Sequence, residues 1–186
     1  MKYNIIIMIM LTGLFAEEKY KEPQYTVIEK FGSIEIREYS EYVVAKTSIN
    51  KNYDSSENNM FRTLASYIFG DNHNNAKIPM TAPVTTISND NSFEMIFYML
   101  DAKNVSDLPS TDIKNITFET FKLGKCAVIS FSWFTSEDKI AKYKKKLDNY
   151  IEENNYEVIS SYMVNRYDPP WRLPFLRRNE VLVKIR

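Results

Sequence analysis

The sequence has few of the residues that most often carry chemistry. It contains one cysteine, one histidine and four glycines in 186 residues. A single cysteine cannot form an intrachain disulfide, and zinc sites built from several cysteine and histidine ligands are excluded by count. The isolated glycines form neither a phosphate-binding loop nor a dinucleotide-binding fingerprint, and no serine lies in a G-x-S-x-G motif. Nucleotide-dependent enzymes are therefore excluded.

The chain also lacks an excess of charge of either sign. Basic (Lys+Arg) and acidic (Asp+Glu) residues number 24 each, which argues against a strongly basic nucleic-acid-binding surface and against an acidic tail. The one dense basic run, Lys144–Lys146, is predicted to be the solvated face of a helix. With 44% hydrophobic and 14% aromatic residues, the chain can bury one good core, which favours a single domain.

Long hydrophobic runs are missing as well. The N-terminal run from Ile5 to Phe15 falls short of the roughly 20 residues that a transmembrane helix requires. Lys2 precedes it and the small residue Ala16 follows it, a pattern typical of a secretory signal peptide. The sequence therefore predicts a signal peptide over residues 1–16, an N-terminal extension over residues 17–24 and one domain over residues 25–186.

Cleavage after Ala16 places the mature protein outside the cytoplasm, secreted or periplasmic, with no stable membrane span. An uncleaved anchor is the less favoured alternative because the apolar run is short. Asn104 and Asn115 lie in N-glycosylation sequons, which have meaning only in a eukaryotic secretory pathway.

The first half of the domain is predicted to contain two strands, a helix and two further strands. Apolar residues alternate over residues 25–49 around Gly32 and a break near Ser40, which predicts a hairpin. Asp54 and Glu57 resemble a capping box at the start of a helix, which Gly70 is placed to end. The helix carries one apolar stripe, formed by Met60, Phe61, Leu64, Ala65 and Ile68.

The second half repeats this order. A strand over Ile116–Phe121, a turn at Gly124 and a strand over Cys126–Phe134 precede a helix that begins near Thr135 or Ser136 and closes at Asn154-Asn155; two short strands follow, near Val158–Val164 and Val181–Ile185. Ala127, Ile129, Phe131 and Trp133 share one strand face, and Cys126 points to the other. The repeated ββαββ order predicts an α+β, pseudo-twofold domain in which two sheets close on one another under two helices.

The candidate chemical residues have structural alternatives. His73 lies in an asparagine-rich loop, and an exposed side chain is favoured over an axial haem ligand or a pH-sensitive contact. Cys126 is favoured as a packed or partly covered thiol over a thiolate ligand or a reactive site. Glu94 and Glu119 leave an acid–base enzyme open, if their strands bring them together. The helix stripe beside Arg62 suits a flat apolar ligand with carboxylates, although core packing explains its apolar members more simply.

Two segments stand out from the remaining sequence. KIPMTAPV, from Lys77 to Val84, has two prolines four residues apart and is predicted to be an extended edge or a shaped loop. RYDPPWRLPFLRRNEVLV, from Arg166 to Val183, begins with a stiff, proline-rich stretch that displays aromatic surface at low entropic cost. It then enters an apolar strand.

Both segments resemble signature stretches of the SOUL family of haem-binding proteins. The resemblance runs from about Tyr25 to the C-terminus and includes YTVIEKFGSIEIREY, FRTLASYIFGDN, KIPMTAPV and YDPPWRLPFLRRNEV. It implies a distorted β-barrel of two similar halves flanked by two helices. It also implies binding of haem or a related tetrapyrrole in a shallow apolar cleft between the first helix and the loop before the last strand. Some members resemble the effector-binding domains of bacterial regulators.

The resemblance implies a set of cofactor-binding residues for non-covalent, b-type haem or another porphyrin: Phe61, Leu64, Ala65, Trp171 and Arg172. Arg172 suits a propionate through charge-assisted hydrogen bonds. Asn58 and Ser66 stand where some members have basic residues, and the family has no uniform axial ligand to transfer, so the metal ligand is left open. The alternative for both signature segments is structural, as shapes that fix sheet corners.

The expected function is non-catalytic tetrapyrrole binding, for carriage, buffering or scavenging. The alternative is an effector-binding or protein-interaction module for another amphipathic ligand, with a hydrolase using cleft carboxylates as a distant third. The expected partner is a small-molecule tetrapyrrole, with no nucleic acid.

Overall fold

The computed structural model describes residues 20–50, 57–89 and 91–186. The predicted signal peptide and the predicted capping residue Asp54 lie outside these residues. The strands are β1 (Tyr25–Phe31), β2 (Ile34–Asn50), β3 (Val84–Ser88), β4 (Ser92–Tyr98), β5 (Ile116–Phe131), β6 (Met163–Arg166) and β7 (Asn179–Lys184). The α-helices are α1 (Glu57–Ile68) and α2 (Glu137–Glu153), and short 3₁₀ helices span Val105–Asp107 and Pro174–Leu176.

Six strands close into an antiparallel barrel in the order β2-β4-β3-β6-β7-β5, because β5 pairs with β2. The long strand β2 makes closure possible. One of its edges pairs with β5 over Ile34–Thr47, while its other edge pairs with β1 at its start and with β4 from Val44 to Asn50. Strand β1 therefore lies outside the barrel, and the predicted α+β barrel with two helices is confirmed.

The two glycines predicted to make turns behave differently. Gly32 has a φ of +59° and joins β1 to β2 in the predicted hairpin, although β2 then continues through Ser40 without the predicted break. The predicted turn at Gly124 is wrong, because Ile116–Phe131 forms a single strand. Gly124, with a φ of +64°, pairs with Tyr39, and β5 pairs with β2 on both sides of it. The positive φ bends the strand without reversing it.

Helix α1 covers one outer face of the barrel. Its fully buried side chains include Met60, Leu64, Tyr67 and Ile68, which pack with Val43, Ala45, Met95, Phe97 and Met99. The helix ends before Gly70, as predicted, and Gly70 has a φ of +118° that favours glycine. Burial of this apolar stripe fixes where the exposed side of α1 faces.

Helix α2 covers a second outer face. It begins after Ser136 and ends at Asn154, followed by Asn155 with a φ of +59°, so both predicted ends are confirmed. Leu147 and Ile151 are buried against a cluster that includes Ile34, Ile36, Ala127 and Ile129. The lysines of the predicted solvated face, Lys144–Lys146, are exposed.

The barrel interior is a third apolar cluster. Cys126 is fully buried there with Tyr98, Val128 and Leu182, on the side opposite to Ala127, as predicted. Trp133 does not share the face of Ala127, because it lies beyond the end of β5 with a φ of +79° and an exposed ring. Among the described residues, no helix is long and apolar enough to cross a membrane.

The predicted strand over residues 158–164 starts late. Val158 forms only an isolated bridge with Ile185, and β6 begins at Met163. The chain then pairs with both β3 and β7 before it leaves the barrel at Arg166. The segment that joins β6 to β7, residues 167–178, is named the proline loop below.

Candidate functional site: helix α1 and the proline loop

Backbone hydrogen bonds give the proline loop a defined shape. The N–H of Arg172 donates to the Pro169 carbonyl oxygen at 3.1 Å, and the N–H of Leu176 donates to Leu173 at 2.9 Å. Asp168 closes the loop, since its carboxylate accepts from the backbone N–H of Arg178. Proline rings and these bonds together leave little freedom to the loop, so its exposed side chains are held in place.

Trp171 and Arg172 lie next to each other on this loop. The Trp171 side chain is 81% exposed, the largest exposure of any large apolar residue in the described chain. The Nε of Arg172 lies 3.1 Å from Asp168 Oδ1 and 3.2 Å from the carbonyl oxygen of Leu176. The loop therefore offers an aromatic face beside a cation that is already oriented by a carboxylate.

On helix α1 the predicted residues separate into two groups. Phe61 is 42% exposed, and its ring packs edge-on against Phe97 with centroids 5.4 Å apart. Leu64 is 0% exposed and Ala65 is also buried, so core packing accounts for both. Arg62 is exposed beside Phe61. The surface that α1 offers to a ligand is therefore centred on Phe61, with Leu64 and Ala65 behind it.

The two elements are anchored to different parts of the barrel. Helix α1 packs on β2 and β4. The proline loop is held at the end of β5, where the backbone N–H of Trp133 donates to the Pro174 carbonyl oxygen at 2.9 Å. The Arg177 guanidinium lies 5.0 Å from the centroid of the Phe134 ring. The structure therefore groups Phe61, Leu64 and Ala65 on α1, and it groups Trp171 and Arg172 on the proline loop.

The KIPMTAPV segment has a structural role in the barrel wall. Thr81, Ala82 and Pro83 are buried, and the Thr81 hydroxyl donates to the Tyr98 carbonyl oxygen at 2.7 Å. The N–H of Ala82 donates to the carbonyl oxygen of Lys21 at 2.9 Å, which ties the N-terminal segment to this corner. These bonds favour the structural alternative for this segment, a shaped loop that fixes a sheet corner.

Neither His73 nor Cys126 offers a ready ligand for iron. His73 Nδ1 lies 2.8 Å from Ser110 Oγ, and its Nε2 lies 3.0 Å from Asp112 Oδ2, so both ring nitrogens are engaged. Burial raises the pKa of the Cys126 thiol to about 12, which disfavours the thiolate that would bind a metal. No group of three or more His, Cys, Asp or Glu side chains within the described ranges could hold a metal ion.

The carboxylates that left an enzyme open do meet across strands. Glu94 and Glu119 both contact Lys46, whose Nζ lies 3.7 Å from Glu94 Oε2 and 3.1 Å from Glu119 Oε1. The lysine lies between them and neutralises part of their charge. The arrangement is an ion-pair cluster on the sheet.

One polar network at the base of the proline loop was not predicted from the sequence. Glu180 is 1% exposed, and its carboxylate accepts from Arg37 Nη1 at 3.1 Å and from the Tyr167 hydroxyl at 2.7 Å. Burial, and secondly the charge of Glu180, raise the pKa of Tyr167 well above its usual range. The sequence signal for this network is Glu180 at the start of the apolar run Val181–Val183, whereas Arg37 lies among other charged residues of β2.

The fold and these residues identify the class of protein. The family model of the SOUL heme-binding protein matches residues 20–184, nearly the whole chain. The chain therefore belongs to the SOUL heme-binding protein family.

Comparison with solved structures shows where else the fold occurs. The C-terminal domain of EcmrR is similar with a TM-score of 0.63 at 14% sequence identity, over 87% of this chain and 98% of that one. A hydrolase from Listeria innocua is similar with a TM-score of 0.58 at 8% identity, over 91% and 94% of the two chains. At such low identities these similarities concern the fold alone. A comparison with curated proteins finds no match.

Proposed function

We propose that this protein binds haem or a related tetrapyrrole reversibly and non-covalently, for carriage, buffering or scavenging, and that it does so without catalysing a reaction. The observation that carries the proposal is the exposed Trp171 beside the half-buried Arg172 on the proline loop of a SOUL family member. Phe61 supplies apolar surface on α1, and Leu64 and Ala65 support it from the core.

The chemistry of these side chains fits a tetrapyrrole. Haem is flat and largely apolar, with two anionic propionates at one edge, so it needs aromatic or aliphatic faces and a cation at the rim. Trp171 and Phe61 provide the aromatic faces, and Arg172 provides the cation. The only cysteine of the chain is buried in the barrel interior, which supports b-type, non-covalent binding over thioether attachment.

A binding role without catalysis is supported by the carboxylates as well. The two glutamates that meet across strands share Lys46, and Glu180 is fully buried and hydrogen-bonded. Neither arrangement presents a free acid or base to a bound ligand. The fold is shared with a hydrolase, but at 8% identity that similarity carries no activity to this chain.

We also propose export through the N-terminal segment. Residues 1–16 have the basic start, apolar run and small final residue of a signal peptide. N-terminal sequencing of material recovered outside the cytoplasm should begin at Glu17. Recovery of chains that still begin at Met1, confined to the cytosol, would contradict this part of the proposal.

The test is a titration of the full chain with haem and, in parallel, with metal-free protoporphyrin. The chain has two tryptophans, Trp133 and Trp171, so quenching of their emission reports binding of either porphyrin while the Soret band reports the haem. We expect saturable binding of haem with tryptophan quenching at the same midpoint. Binding of neither porphyrin would reject the proposal and favour a module for another amphipathic ligand or a protein partner.

A further inference from the structure

A cluster of large apolar side chains lies on the proline loop and on the neighbouring segment after β5. It extends beyond the proposed haem surface. Six such residues are exposed, and they are named the apolar patch: Trp133, Phe134, Trp171, Leu173, Phe175 and Leu176. They come from two loops that contact each other, through the 2.9 Å bond from the Trp133 N–H to Pro174 and the Arg177–Phe134 contact. Only Trp171 belongs to the proposed haem surface. Large exposed apolar residues that are grouped in this way are typical of interaction sites.

The patch is ordered, and one of its residues is held at a backbone cost. Trp133 has a φ of +79°, a strained conformation that bulky L-residues rarely adopt. The backbone N–H of Trp133 donates to the carbonyl oxygen of Pro174. The carbonyl oxygen of Trp133 accepts from the side-chain amide of Asn179 at 2.8 Å. These bonds hold a half-exposed indole outside the barrel. Such local strain concentrates at functional positions.

Cations border the patch. Arg177 lies over the Phe134 ring and donates to the backbone carbonyl oxygens of Arg172 and Pro170. These two acceptors are uncharged. Lys139 Nζ lies 5.9 Å from the centroid of the Trp133 ring. The acidic residues of the same region are Asp168, which pairs with Arg172, and Glu137 and Asp138 in the first turn of α2.

We propose that the apolar patch inserts into the interfacial region of a phospholipid bilayer, with Arg177 and Lys139 contacting lipid phosphates. Tryptophan is enriched at the membrane interface because its ring is apolar at one end and polar at the other, and leucine and phenylalanine partition below it. Guanidinium groups match phosphate in charge and geometry. Apolar residues rimmed by cations on a stiff loop thus fit a bilayer surface. Insertion of this kind places the described domain at the membrane surface.

The proposal goes beyond haem binding and is tested without haem. The full chain is mixed with vesicles of phosphatidylcholine, alone or with phosphatidylserine. Both tryptophans of the chain belong to the patch and none lies in the N-terminal segment, so tryptophan emission reports the patch even if residues 1–19 touch lipid. We expect a blue shift, quenching by brominated lipid, and partitioning about threefold or more stronger with phosphatidylserine, reduced by salt.

A double variant removes the apolar contact outside the haem surface. Leu173→Asp with Leu176→Asp should lower partitioning by about tenfold or more, while the melting temperature and the haem titration stay near wild type. Phe31→Asp, a change of an exposed aromatic on β1 that lies outside the patch, is the control and should partition like wild type. Retained haem binding with lost vesicle binding separates this proposal from the proposed function.

A second variant keeps the test independent of folding. Trp133→Gly relieves the positive φ, so its melting temperature should equal or exceed that of wild type, while partitioning weakens. Tryptophan emission unchanged by both vesicle types would overturn the proposal. Equal partitioning of the double variant and wild type would also overturn it. A blue shift that depends on protein concentration alone would overturn it too, and would assign the patch to contacts between copies of the chain.

Discussion

A single buried carboxylate joins the proline loop to the barrel. Glu180 accepts from Arg37 and Tyr167, and Arg178 stacks over the Tyr167 ring at 3.5 Å. The sequence did not predict this network, because Arg37 and Glu180 are 143 residues apart and only the pairing of β2, β5 and β7 brings them together. Arg37 lies among other charged residues of β2, so the sequence does not show that it is buried, and only the tertiary fold shows which partner it takes.

The free-energy contribution of this network is measurable. Glu180→Gln should lower the free energy of unfolding by about 1.5–3 kcal/mol, because it removes one of the two carboxylates, Glu35 and Glu180, that pair with the buried Arg37 guanidinium. The matched control is Glu157→Gln, which removes the exposed pair with Arg186 and should change stability by less than about 1 kcal/mol. Urea denaturation measures both, and equal small effects would show that Glu180 is not needed to compensate Arg37.

The engaged ring of His73 leads to a prediction on iron ligation. His73→Ala should leave haem affinity within about threefold of wild type, less than ~0.7 kcal/mol, because both ring nitrogens already contact Ser110 and Asp112. Haem titration with the Soret spectrum checks this. A large loss of affinity together with a shifted Soret maximum would make His73 the axial ligand.

At the scale of elements, periodicity predicted the two helices and most strands but not the path of β5. Gly124 permits a tight turn and a strand bend equally well, because both need a positive φ. The choice is made by β2, which pairs with β5 from Ile116 to Ile129. Helical spacing likewise placed Leu64 and Phe61 on one stripe. The packing of α1 on β2 and β4 buries Leu64 and leaves Phe61 partly exposed, and the sequence does not specify that packing.

Gly124 also gives the element-scale prediction. No heavy atom lies within 4 Å of an added Cβ at this position, so Gly124→Ala should cost stability through the backbone alone, by about 1 kcal/mol. Gly124→Asn should cost less, since asparagine tolerates the left-handed conformation. Chemical denaturation of the three proteins checks the order Gly, Asn, Ala. Equal stability of all three would mean that the bend does not need a positive φ.

At the scale of the whole molecule, three apolar clusters built on one barrel bury several ionisable side chains in their neutral form. Burial raises the pKa of Cys126 from 9.0 to about 12 and that of Tyr67 from 10.0 to about 12. The pKa of Tyr98 is raised as well, mainly by burial. Composition predicted one aromatic-rich core, but which phenols are buried depends on the barrel register, which the sequence alone does not specify.

These raised pKa values predict alkaline instability. In the unfolded chain the thiol and phenols ionise from about pH 9 to 10, whereas in the native state they stay neutral, so stability is complete below that range and falls as pH rises toward about 12. The urea midpoint should therefore drop between about pH 8 and about pH 10.5. Tyr98→Phe should make the drop shallower. A midpoint that does not change with pH would contradict the burial of these groups.

The central claim is that the proline loop and α1 form a tetrapyrrole site, and the haem affinity of Arg172→Ala tests it most directly. Loss of the propionate partner should weaken binding by several-fold to about tenfold, with salt reducing the difference, because a charged hydrogen bond at an open site is worth less than the roughly 1.5–3 kcal/mol of a shielded one. Arg186→Ala, which removes an arginine from another surface ion pair, should bind haem like wild type. If Arg172→Ala melts like wild type and binds haem with unchanged affinity, the site lies elsewhere.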